Sequence, residues 1–157
     1  MKEKNSCSAS STTTILACSG GSNVGQITNE VAKMLDIAGE GKFFCLAGVG
    51  GHISAMVASL EGCDKVLVLD GCSVACAKKI MDAEDVNNYE YLVVTDLDIE
   101  KAHDFKLSEE HIDQVLAACR TAINEPSILK EDTNEAKLVE NTGSSSSCSG
   151  GGCCSCG

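Results

Sequence analysis

Four short apolar runs stand along the chain, at residues 12–18 (TTTILAC), 42–47 (KFFCLA), 65–70 (KVLVLD) and 89–95 (YEYLVVT). Each is rich in β-branched or aromatic residues and bounded by Gly, Asp or Asn, which marks a strand. Their apolar residues run on continuously instead of alternating, the pattern of strands covered on both faces. Between the runs the period changes. Val24, Ile27, Val31 and Leu35 fall on one helical face, as do Ile53, Met56, Val57 and Leu60. A third helix is expected to begin near Cys72 or Ser73. Ser108 can cap a fourth, whose stripe is Ile112, Val115, Leu116, Cys119 and Ile123 and which Pro126 ends.

Strands that alternate with helices call for right-handed crossovers and parallel pairing. The expected fold is therefore α/β: a three-layer, Rossmann-like sandwich with a mainly parallel sheet of about four strands. With 157 residues, 43% of them hydrophobic, the chain can fill one core. The division expected is a flexible N-terminus at 1–11, the α/β domain at 12–125, and a flexible tail at 126–157, acidic first and then rich in Ser, Gly and Cys.

Charge and composition narrow the partners. A formal charge of -11 disfavours nucleic acid and anionic membrane surfaces, since both are held by clustered Lys and Arg. No apolar run approaches the roughly 20 residues of a membrane span. The start, MKEKNSCSASSTTT, also lacks the apolar segment of a secretory signal, so the expected location is cytoplasmic. In that setting eleven cysteines read as reduced thiols for metal or redox work, not as a disulfide framework. Aromatic residues make up 3% and Trp is absent, so the core must be mostly aliphatic.

In an open parallel sheet, ligands bind beyond the carboxyl ends of the strands, so a cysteine's place along its strand decides whether it can join a site. Cys18 closes the first strand, Cys45 sits late in the second, and Cys72 follows the third directly. Cys76 lies one helical turn beyond Cys72; if the third helix starts there, both sulfurs share a face and its free N–H groups favour thiolate. Four such thiolates suit the tetrahedral all-sulfur coordination of zinc or another soft metal. Buried cysteine is also a common small core residue, and Cys45, inside an apolar run, fits that role best.

Cys63 precedes the third strand and so lies at the opposite edge, Cys119 belongs to a core stripe, and Cys7 to the N-terminus. The loops Gly20-Gly-Ser-Asn-Val-Gly25 and Gly48-Val-Gly-Gly51 allow close backbone approach, but neither completes a nucleotide fingerprint. The phosphatase pattern C-x5-R also fails, because Val24 stands where the Arg would be. His52 is a possible gate, proton carrier or extra ligand, though a lone His near a helix start is more often a cap. Asp70 can orient the Cys72 turn.

The segments Cys18-Ser-Gly-Gly-Ser-Asn-Val-Gly, Phe44-Cys45-Leu-Ala-Gly-Val-Gly-Gly and Val68-Leu-Asp70-Gly71-Cys72-Ser-Val-Ala-Cys76 together resemble the DGC-domain family, named for the motif seen here as Asp70, Gly71 and Cys72. The resemblance runs from about Thr12 to about Ile123. It implies that Cys18, Cys45, Cys72 and Cys76 are the potential zinc chelators, a function the family is assigned on the strength of those cysteines. Cys148, Cys153, Cys154 and Cys156 lie outside the pattern.

Three readings follow. In one, the core cysteines hold zinc and the tail cysteines capture it or hand it to a donor or acceptor protein. In another, Cys72 or Cys18 is a nucleophile in thiol redox chemistry or carries sulfur or selenium. In the third the zinc is purely structural. Nothing in the sequence identifies a catalysed reaction.

Overall fold

The structure is a computed structural model that describes residues 13–124, all within one compact unit. The sheet is built first from two central strands, β1 (Thr13–Ala17) and β3 (Lys65–Asp70), whose residues are buried almost throughout. They pair in parallel from Thr13 opposite Lys65 to Ala17 opposite Leu69. β2 (Lys42–Phe43) and β4 (Glu90–Val93) flank them, giving a four-stranded, all-parallel sheet in the order β2-β1-β3-β4.

Side chains of a strand alternate between faces, and here each set meets its own helical layer. Ile15, Ala17, Leu67 and Leu69 pack against α1 (Asn23–Ile37) and α5 (Glu109–Asn124), with Val24, Ile27, Val31, Leu35, Val115 and Cys119 filling the layer. Leu16, Val66 and Val68 face the other way, onto α2 (Leu46–Gly50), α3 (Ser54–Glu61) and α4 (Cys76–Ala83) through Leu46, Val49, Leu60, Ala77 and Met81. This is the three-layer Rossmann-like sandwich expected from the continuous apolar strands. Among the described residues no helix is long and apolar enough to cross a membrane.

Two elements differ from the expectation. The run 42–47 is a strand only at Lys42 and Phe43, because that edge strand has a single neighbour and its ladder ends where Ile15 pairs with Phe43. The chain then turns, and Cys45 becomes the N-cap of α2, exposed and outside the core. The third helix starts at Cys76, not at Cys72 or Ser73. Ala75, at its N-cap, is left-handed with φ 55°, so Cys72 sits in the preceding loop and shares no helix face with Cys76.

The chain leaves β1 toward β2 and leaves β3 toward β4, on opposite sides. The carboxyl ends of β1 and β3 thus frame the point at which strand order reverses, where α/β sheets open a crevice. At the other edge, Lys65 Nζ donates to the carbonyls of Ala122 (2.7 Å) and Ile123 (3.0 Å), closing the last turn of α5. Expectations for the N-terminus, Pro126 and the tail cysteines fall outside the described residues.

Candidate thiolate site

The crevice holds a cleft of about 150 Å³, lined by Cys18, Cys72 and Cys76 together with Asp70, Lys101 and a run of glycines. Its neighbour is a depression of about 360 Å³ lined by Cys18, Cys45, Cys76, Phe43, Phe44 and Ile80. Cys18 and Cys76 therefore border both, Cys72 the first and Cys45 the second. Cys45 and Cys76 are exposed; Cys18 and Cys72 are half-buried.

Each half-buried sulfur has partners. The backbone N–H of Gly71 donates to Cys18 Sγ at 3.3 Å. Cys18 Sγ also lies 3.7 Å from Thr28 Oγ1, whose own hydrogen goes to the carbonyl of Gly25 at 2.7 Å. Lys101 Nζ donates to Cys72 Sγ at 3.3 Å. Among the described residues, no three Cys, His, Asp or Glu side chains are gathered tightly enough to hold a metal as they stand.

Asp70 makes its side-chain bonds beyond the Cys72 turn, at the start of α4 and to Tyr91. Only 1% exposed, its carboxylate accepts from the N–H groups of Ala77 (2.9 Å) and Lys78 (3.0 Å) and from the Tyr91 hydroxyl (3.1 Å). It satisfies the free donors in the first turn of α4 from outside the helix. Those N–H groups are consequently committed to Asp70 and not to the cysteine sulfurs. Burial, with Asp70 beside it, pushes the Tyr91 hydroxyl well above its ordinary range.

Gly71 is required by contact, not by backbone angle. A Cβ there would lie 2.7 Å from the N of Gly25 and 2.8 Å from the carbonyl carbon of Val24, so the motif loop packs directly on the first turn of α1. His52 is turned away from the cleft. Its Nδ1 meets Glu84 at the C-cap of α4, and its side chain is 73% exposed.

Three residues that sequence reasoning passed over complete the site: Lys101, Asn23 and Thr28. Asn23 clamps the loop that carries Lys101, its Nδ2 donating to the carbonyl of Glu100 (2.8 Å) and its Oδ1 accepting from the N–H of Ala102 (2.7 Å). The Asn23 N–H donates in turn to the carbonyl of Ala102 at 3.0 Å. Position gave a signal for Lys101, since it follows the last strand on the carboxyl side of the sheet.

The profile of the DGC domain family matches residues 14–119. A curated relative, the "Anaerobic and virulence modulator AnvM" of Pseudomonas aeruginosa, is 34% identical over 89 residues, which is 57% of this chain and 68% of that protein. No solved structure matches the chain. The family match spans the sheet from Thr14 onward, the helical layers as far as Cys119 in α5, and all four cysteines bordering the crevice; the chain belongs to the DGC domain family.

Proposed function

We propose that this protein binds a soft metal ion, zinc foremost, through Cys18, Cys45, Cys72 and Cys76. The observation that supports this most is that loops after three different strands bring all four cysteines to adjoining depressions, two of them bordering both. The donor set is all sulfur, as zinc accepts in closed sites. Each cysteine turns its sulfur about a single bond, and the exposed Cys45 and Cys76 are the ones free to turn inward. A bound metal would tie the loops after β1, β2 and β3 together. A family relative named as an anaerobic modulator suits a domain whose thiols respond to metal and oxidation.

The test is elemental analysis of protein prepared without oxygen, with Cys148, Cys153, Cys154 and Cys156 replaced by Ser so that only the domain can bind. About one zinc per chain, lost in Cys72→Ser, is the expected outcome. Absence of any stoichiometric metal overturns the proposal. If the metal is present, the full chain then tests hand-over to the tail, and unfolding on chelation identifies a structural role.

A second reading is favoured by one contact, that of Lys101 Nζ with Cys72 Sγ. It makes Cys72 a reactive thiol in a thiol or persulfide carrier. Metal-free protein would then show one fast-alkylating thiol at Cys72, whereas a closed zinc site shields its sulfurs until a chelator is added.

A further inference from the structure

Among the described residues Lys101 is the only basic side chain lining the cleft, in a chain whose formal charge is -11. Its place is built in: Asn23 holds the backbone on both sides of it, and His103 Nδ1 meets the carbonyl of Gly21 at 3.1 Å, so the lysine loop is stapled to the loop after Cys18. The Asp70 carboxylate also borders the cleft, but both its oxygens are committed to α4 and Tyr91. Gly20, Gly21, Gly25 and Gly71 also line the cleft, and they carry no side chain. At about 150 Å³ the cleft is smaller than the roughly 300 to 1,000 Å³ of ordinary organic-ligand pockets. Small, anionic and reactive toward sulfur describes what it can take.

We infer that, in the metal-free protein, this cleft binds a small anionic sulfane-sulfur donor and that Cys72 takes the sulfur from it as a persulfide, Lys101 holding the anionic end. The inference rests on the second reading above, that Cys72 is a reactive thiol. With thiosulfate as the donor, the Cys72 thiolate attacks the outer sulfur. A bond forms between Cys72 Sγ and that sulfur, the bond from it to the sulfonate sulfur breaks, and the electron pair leaves with sulfite. Total charge is conserved, and no external oxidant or reductant is needed. Lys101 is placed to hold first the sulfonate oxygens and then the departing sulfite.

The experiment uses the full chain, stripped of metal by a chelator and kept without oxygen, with thiosulfate as the probe. Mass spectrometry of the Cys72 peptide should show the gain of one sulfur atom, with sulfite released in equal amount. Lys101→Met should slow this by about tenfold or more beyond whatever it does to the reaction of Cys72 with neutral iodoacetamide, the scale of one lost charge-assisted hydrogen bond to the anion. Lys101→Arg should restore the thiosulfate reaction. Equal thiosulfate rates in wild type and Lys101→Met overturn the role given to Lys101. Rapid alkylation of Cys72 without any persulfide overturns the sulfur transfer and leaves the reactive-thiol reading standing, whereas a Cys72 inert to both reagents removes that reading as well.

Discussion

The ammonium of Lys101 and the sulfur of Cys72, 29 positions apart in sequence, stand 3.3 Å from each other because Asn23 grips the backbone on either side of the lysine. Asn23→Ala removes both side-chain bonds and should cost about 1 to 3 kcal/mol in denaturant unfolding. It should also slow the reaction of Cys72 with an anionic aryl disulfide more than with neutral iodoacetamide. A fall in stability without that selectivity would make Asn23 structural only.

Gly71 and Gly21 form a matched pair of tests. A Cβ on Gly71 meets the backbone of Val24 and Gly25 at 2.7 to 3.0 Å, which cannot yield without moving α1, while a Cβ on Gly21 meets nothing within 4 Å. Gly71→Ala should therefore lose about 1 to 3 kcal/mol in an unfolding titration, and Gly21→Ala less than about 0.5 kcal/mol.

Ala75 holds a left-handed conformation at φ 55° with no polar side chain to compensate. That conformation costs an L-residue about 1 to 2 kcal/mol, part of which Gly gives back through its more flexible unfolded chain. Ala75→Gly should raise the thermal midpoint. A lowered midpoint would show that the methyl group packs usefully on the cleft wall.

Cys119 is fully buried in the α1/α5 layer, and burial pushes its thiol from an ordinary value near 9 up to about 12. The raised value belongs to the folded state, so the unfolded chain ionises first as pH rises. Its contribution is complete below about pH 9 and is lost on the way to about pH 12, at about 1.4 kcal/mol per pH unit. Cys119→Val should flatten the fall in stability over this window relative to wild type, measured by denaturant titrations at stepped pH. Tyr91, shifted in the same direction, adds to the fall in both proteins from about pH 10 upward.

The sheet was readable because its central strands are continuous apolar runs: KVLVLD is strand β3 without change, and TTTILAC contains all of β1. KFFCLA misled for a physical reason. Apolar residues serve a buried helix turn as well as a strand, and Leu46 is buried in α2, not in the sheet. The start of α4 was misplaced because an alanine in the left-handed region leaves no mark in a sequence. Position along the strands found the cysteines bordering the crevice. It could not find the Asn23 clamp, which joins residues 77 and 79 positions apart through backbone atoms common to every residue.

Cys18 and Cys76 belong to both hollows at the carboxyl edge of the sheet. A partition between two chambers cannot be moved for one alone. Whatever engages these two sulfurs beside Lys101 alters the hollow that holds Cys45, and by reciprocity whatever engages Cys45 with them alters the chamber that holds Lys101. The exposed thiol of Cys45 is thus a natural gauge: the rate at which a reagent finds it will report, from outside, what the neighbouring chamber contains.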